Sequence, residues 1–246
     1  MGKIVSPEYT CPTLTAASLQ IQQGVGKEAK IILNGSHVCT FVIEAGKFYY
    51  LAGASGVGKS TLLWTLARLH PLVAGTLRFK GKTYTEIPVA NWRAEVALLP
   101  QKAVILDGTI AENLLYPFHT FQVQKERLHE RGKSLPDSDK LYQELNSVGL
   151  HDISLERKAN SLSGGQQARL ALIRLLLTEP CLILADEPTS GVDDIAAALV
   201  FKRLQLFCEQ GGAVIITSHT YKDHIHSATI TLDGNATLQI KNPNEC

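Results

Sequence analysis

No apolar run in this chain of 246 residues is long enough to cross a bilayer, which takes about 20 consecutive apolar residues. The richest stretch, Leu170 to Leu177, is interrupted by Arg174 and flanked by Arg169. The first ten residues carry one Lys but no apolar core behind it, so they do not read as a secretion signal. Any membrane role is therefore expected to come through a partner. An excess charge of one sign is also missing: 24 basic residues face 23 acidic ones, for a formal net charge of +1. That balance offers no field for a polyanion, which argues against nucleic-acid binding. No polybasic segment is available for an anionic membrane surface. The five cysteines (Cys11, Cys39, Cys181, Cys208 and Cys246) are scattered and form no C-x-x-C pair. A disulfide framework and a zinc site are both unexpected, and a reducing cytosol fits. Cys181, inside an apolar run, reads as a small buried hydrophobe. Internal repeats, low-complexity segments and sustained heptads are likewise lacking.

What is present is an alternation of strand and helix. Val38 to Glu44 and Lys47 to Ala52 read as strands joined by a tight turn at Ala45-Gly46. A helix is expected from Gly58 or Lys59 to about Leu69, where Pro71 stops it. Gly75 to Lys82 and Val96 to Leu99 look like further strands. Cys181 to Ala185 and Ala213 to Thr217 are unbroken apolar runs, as expected of parallel strands covered on both faces. From about 117 to 160 the chain is polar with helical period: Leu141, Leu145 and Val148 share a face, and Gly149 stands where a helix cap belongs. The helix after Gly165 is expected to bury Leu170, Ile173 and Leu177. The fold class is therefore α/β, with a mixed, mostly parallel sheet, an N-terminal antiparallel β part and an inserted helical lobe. One domain is expected over residues 1–246, with the lobe at approximately 117–160.

Three motifs carry chemistry. Gly53-Ala54-Ser55-Gly56-Val57-Gly58-Lys59-Ser60, with Thr61 next, fits the phosphate-binding pattern G-x-x-x-x-G-K-[ST] between a strand and a helix. Its glycines let successive backbone N–H groups point at phosphate oxygens, and the helix start adds partial positive charge. Lys59 is expected on the β- and γ-phosphates and the Ser60 hydroxyl on Mg²⁺. In Leu182-Ile183-Leu184-Ala185-Asp186-Glu187, two carboxylates end a buried strand, where open α/β sheets bind ligands. Asp186 is the candidate Mg²⁺ ligand, and Glu187 is placed to take a proton from an attacking water. Leu162-Ser163-Gly164-Gly165-Gln166 opens another helix with a hydroxyl and close-packed N–H donors, a second anion site. If the two phosphate-binding helix starts lie on different lobes, two chains arranged head to tail can sandwich two ATP molecules with twofold symmetry.

With these motifs in order, the chain resembles an ABC-type nucleotide-binding domain, a P-loop NTPase, over nearly its whole length. Leu99-Pro100-Gln101 resembles the family's Q-loop, whose Gln contacts Mg²⁺ and faces the membrane subunit. Pro188-Thr189-Ser190-Gly191-Val192-Asp193 resembles the D-loop, which crosses the dimer interface; Asp193 is counted with the nucleotide-binding residues. Thr217-Ser218-His219 resembles the switch histidine, which holds the γ-phosphate and helps to organise water. The resemblance implies an ATPase using ATP and Mg²⁺, catalysis by Glu187, His219, Gln101 and Lys59, a homodimer closed by Ser163 to Gln166, and a separate transmembrane permease that keeps the chain on the cytoplasmic face. The permease-facing surface would include Val104, Ile105, Leu106, Leu115 and Tyr116, although packing inside the helical lobe accounts for most of them. Three departures stand out: no aromatic residue lies between Tyr9 and Phe41 to stack adenine, leaving Gln22 to Val25 as its neighbourhood; Thr220 follows His219; and Gly191-Val192 replaces the usual Ala-Leu. Non-transport ABC proteins and small-molecule kinases share the phosphate loop. The former usually carry two such domains or long coiled coils, and the latter do not account for Leu-Ser-Gly-Gly-Gln.

Overall fold

In the computed structural model, which describes residues 14–24, 30–33, 41–218, 228–233 and 238–241, strands and helices alternate through most of the chain. The strands are β1 (Leu14–Gln23), β2 (Lys30–Leu33), β3 (Phe41–Ile43), β4 (Phe48–Ala52), β5 (Ala74–Phe79), β6 (Lys82–Thr83), β7 (Val96–Leu99), β8 (Leu182–Asp186), β9 (Ala213–Thr217), β10 (Ala228–Leu232) and β11 (Leu238–Lys241). The helices are α1 (Lys59–Leu66), α2 (Val89–Glu95), α3 (Ile110–Thr120), α4 (Gln122–Glu130), α5 (Ser138–Ser147), α6 (Gly164–Leu177) and α7 (Asp194–Glu209).

The apolar runs build a six-stranded sheet in the order β11-β10-β4-β9-β8-β7, parallel except for β11. Both faces are covered, which is why these strands show no polar alternation. On one face Tyr49, Leu51, Leu182, Leu184 and Ile215 join Leu62, Leu63 and Leu66 of α1. On the other, Phe48, Ile183, Ala185, Val214 and Ile216 meet the helices α3, α5, α6 and α7. A second, antiparallel sheet (β2-β1-β5-β6, with β3 beside β1) packs into the first core. It reaches past the amino-terminal part, because the hairpin β5–β6 follows α1. Trp92 is fully buried there, its Nε1 donating to the Leu66 carbonyl at 2.8 Å and its ring edge-on to Phe79.

Several boundaries differ from those expected. The first helix ends at Leu66, and the strand expected at Gly75 to Lys82 is a hairpin broken at Lys80-Gly81. Of the strand expected at Val38 to Glu44, Phe41–Ile43 is observed, while residues 38–40 lie outside those described. Cys181 precedes β8, is half-buried, and donates from Sγ to Glu95 Oε2 at 2.8 Å; its polar neighbour sets it apart from an inert core residue. In α6 the buried face is Leu170, Ile173 and Leu176, and Leu177 is only half-buried. Helical structure after β7 begins at Ile110, with Pro117 inside α3. The start is fixed by a reciprocal cap, in which Thr109 Oγ1 accepts from Glu112 N and Glu112 Oε2 accepts from Thr109 N. Helix α5 ends in a Schellman turn, with Leu150 N donating to Leu145 O and Gly149 N to Asn146 O.

Ion pairs tie the helical segment to the sheet layers. Arg203 of α7 meets Glu144 of α5 at 3.0 Å, and Arg127 of α4 meets Glu95 at 2.8 Å. Among the described residues no helix is long and apolar enough to cross a membrane.

Candidate nucleotide site

The ends of three neighbouring parallel strands create the site. Strand β4 runs directly into the phosphate loop, β8 ends at Asp186 next to Glu187, and β9, lying between them, ends at Thr217. Registers Tyr50↔Ile216 and Asp186↔Thr217 set their carboxyl ends side by side.

Within the loop, Gly53 and Gly58 have φ of +152° and +108°, and neither position has room for a side chain. A Cβ at Gly53 would lie 2.5 Å from the Leu232 carbonyl oxygen, and one at Gly58 would lie 2.7 Å from Ile32 Cδ1. The crest, Ala54 to Gly56, is exposed, and Val57 is buried beneath it. Lys59 Nζ folds back and donates to the carbonyls of Gly53 (2.9 Å) and Ala54 (3.0 Å), so its charge sits over the cradle. Ser60 and Thr61 lie in the first turn of α1. That turn has no acidic residue and its start has no side-chain cap. The positive end of the helix dipole is therefore not neutralised by a carboxylate of its own first turn.

Asp186 is buried (6% exposed), and its Oδ1 accepts from the Thr217 hydroxyl at 2.8 Å. Glu187 has φ +46°, an uncommon backbone state for a residue with a side chain. Its N–H is fixed by the Thr217 carbonyl (3.1 Å) and the Thr217 hydroxyl (2.9 Å). Gln101 stands two residues past Leu99, and Leu99 pairs with Ala185, two residues before Glu187. The register thus brings Gln101 Nε2 within 2.8 Å of Glu187 Oε2. Tyr50 reaches the same place from β4, its hydroxyl donating to the Ser218 carbonyl. Burial pushes its phenol above the usual value, against the hydrogen bond to Ser218, and the charge of Glu187 adds to the rise.

Among the described residues, no group of three or more His, Cys, Asp or Glu side chains could hold a metal ion. The site offers a carboxylate at Asp186, a hydroxyl at Ser60 and an amide at Gln101. Hard oxygen donors with one carboxylate suit Mg²⁺ that shares its coordination with phosphates.

The second helix start is built differently. Ser163 caps α6 through a reciprocal pair, with Oγ accepting from Gln166 N at 3.3 Å and Gln166 Oε1 accepting from Ser163 N at 3.0 Å. Ser163 and Gly164 are exposed, and the first turn again has no acidic residue, whereas α3, α5 and α7 each carry one. Gly165 packs against Gly191 and Val192. Asp193 caps α7 by accepting from Ala196 N at 2.9 Å, and that N–H, with Arg169 nearby, holds its carboxyl below the usual value. Among the described residues no hydrogen bond joins Ser163 to Gln166 with Gly53 to Thr61.

His219 and Thr220 lie outside the described residues, as does Val25 of the expected adenine neighbourhood. Gln22 is half-buried, and Gln23 and Gly24 are exposed. Beyond Gln101, Val104 (58% exposed) and Tyr116 (37%) face outward, whereas Ile105, Leu106 and Leu115 are half-buried. Sequence reasoning passed over Thr217 and Tyr50. Their signal was a hydroxyl at or near the carboxyl end of an otherwise apolar strand. It also passed over Asn113, buried in α3, which binds Leu106 at both N and O, and Arg174, which donates to the Val104 carbonyl at 2.6 Å. Together these two anchor the segment after Gln101.

The chain is similar to known proteins over most of its length. The family described as ABC transporter matches residues 37–190. The lipoprotein-releasing system ATP-binding protein LolD 2 of Rhodospirillum rubrum is 34% identical over 221 residues, covering 85% of this chain and 88% of its own. The phosphonates import ATP-binding protein PhnC 2 of Nostoc sp. is 35% identical over 181 residues, 72% of each chain. In fold, the chain superposes on a bacterial Atm1-family ABC exporter with ATP bound, with a TM-score of 0.76 at 20% identity. That alignment covers 95% of this chain and 39% of the exporter's. The fold is that of a P-loop NTPase, and the chain belongs to the ABC transporter family as a nucleotide-binding subunit that hydrolyses ATP to power transport.

Proposed function

We propose that the chain binds ATP with Mg²⁺ at Gly53 to Thr61 and hydrolyses it between two copies of itself, driving a separate membrane permease from the cytoplasmic face. The observation that carries this reading is the juxtaposition of Glu187 and Gln101 beside the phosphate loop, together with a second uncapped-by-acid helix start at Ser163. Lys59 and the N–H groups of the loop hold the β- and γ-phosphates. Ser60, Asp186 and Gln101 would hold Mg²⁺, which neutralises developing charge on the transferring phosphoryl group when bound. Glu187 takes a proton from the attacking water, and His219 orients the γ-phosphate. Ser163 to Gln166 of the opposite copy closes the cage, with Asp193 at the interface. The helical segment acts as the inserted lobe, and Val104 and Tyr116 beyond Gln101 supply apolar surface for the permease. Two phosphate-binding helix starts with no hydrogen bond between them support the head-to-tail dimer. ATP favours the closed state only through its higher affinity for that state.

The test is the mass of the full chain in solution, measured by light scattering with and without Mg-ATP on the Glu187→Gln variant. Dimer is expected with ATP and monomer without it, and adding Ser163→Trp is expected to abolish the dimer. A variant that binds ATP in a titration yet stays monomeric at saturation overturns the homodimer.

A further inference from the structure

Strand β4 does more than lead into the phosphate loop. Its side chains alternate between the two cores: Tyr49 and Leu51 face α1, while Phe48 and Tyr50 face the helices on the opposite side. The Tyr50 ring packs against that second core, and its hydroxyl extends past the end of β9 to the carbonyl of Ser218. Ser218 is buried (5% exposed), and it is the first residue after β9. A buried carbonyl there needs a donor, and the phenol of the neighbouring strand supplies one. The bond spans 168 positions of sequence. It ties Tyr50, three residues before Gly53, to the residue that follows β9. Because burial and the Glu187 charge both raise the phenol above its usual value, it keeps its proton and acts as a donor at neutral pH.

We propose that Tyr50 is a positioning residue for hydrolysis, whose hydroxyl fixes the Ser218 carbonyl and thereby the end of β9, where Thr217 holds both the Asp186 carboxylate and the Glu187 N–H. This rests on the reading of Glu187 as the general base. The hydroxyl touches no atom of the nucleotide in this scheme and acts through the backbone of Ser218.

The experiment is steady-state ATP hydrolysis by the full chain for Tyr50→Phe, with Tyr49→Phe and Glu187→Gln in parallel and thermal unfolding of each. Tyr50→Phe keeps the ring and removes only the hydroxyl. The expected result is a kcat lowered about tenfold, equivalent to about 1.4 kcal/mol in the barrier, with KM for ATP changed by less than about twofold, as befits a group that does not act on ground-state binding. Tyr49 is the control, because its hydroxyl accepts from Glu44 N at 2.9 Å on the other face; Tyr49→Phe is expected to hydrolyse at the normal rate. A normal kcat in Tyr50→Phe overturns the proposal, and so does an equal loss in Tyr49→Phe or a KM that rises in proportion. If Glu187→Gln hydrolyses ATP normally, the general-base reading fails whatever Tyr50→Phe does. If Glu187→Gln is inactive and Tyr50→Phe is normal, only the role of Tyr50 fails.

Discussion

Replacing Gly58 by Ala tests whether the phosphate loop is held by backbone geometry and by packing from the antiparallel sheet. Gly58 opens α1 at φ +108°, and an added Cβ would fall 2.7 Å from Cδ1 and 2.8 Å from both Cβ and Cγ2 of Ile32. Ile32 is 2% exposed in β2, so it has little room to yield. The left-handed backbone alone costs an alanine about 1–2 kcal/mol. Forcing a methyl into a packed core adds about 1–3 kcal/mol. Gly56 provides the comparison, since its φ is +74° but nothing lies within 4 Å of its Cβ position. Gly56→Ala should therefore carry only the backbone share, about 1–2 kcal/mol, and Gly58→Ala about 3 kcal/mol in total. In urea unfolding with a slope near 3 kcal/mol per M, Gly58→Ala should lower the midpoint by about 1 M and Gly56→Ala by about half of that. Equal midpoints for the two variants would refute the packing between Ile32 and the loop.

Two further outcomes follow from the buried polar groups. Burial raises the Glu144 carboxyl, but Lys140 and Arg203 outweigh it and leave it below its ordinary value of 4.5. Its stabilising effect is thus present above that ordinary value and lost as pH falls through the lower folded one. Glu144→Gln should cost about 2 kcal/mol at pH 7, less than a fully buried broken pair. The difference from the parent should shrink as urea unfolding is repeated at pH below about 4.5; a gap constant with pH would exclude the ion pair as its source. Thr217→Val removes the 2.8 Å bond to Asp186 and the 2.9 Å bond from Glu187 N. It should cost about 1–3 kcal/mol in unfolding and lower the rate of ATP hydrolysis; lost stability at an unchanged rate would make Thr217 a purely structural residue.

The sequence by itself determined what contiguous residues can specify. Gly53 to Ser60 carries its whole cradle in one run, Ser163 and Gln166 cap one another three residues apart, and the apolar runs before Asp186 and Thr217 demand a sheet covered on both faces. Each depends on local geometry: the left-handed backbone glycine tolerates, the reach of a capping side chain, and the period of burial. Even here some local signals went unread, such as the Thr109–Glu112 cap that starts α3 seven residues before Pro117. Only the tertiary structure decided which strands are neighbours. The order β4-β9-β8-β7 brings Gln101 to Glu187 across 86 positions, Thr217 to Asp186 across 31, and Tyr50 to Ser218 across 168. It also decided that Leu176 rather than Leu177 is buried, and that Cys181 faces Glu95. Such pairings arise when distant segments pack and their registers lock together. No spacing within a single segment encodes them, because the partner side chains meet only after the loops between them have closed.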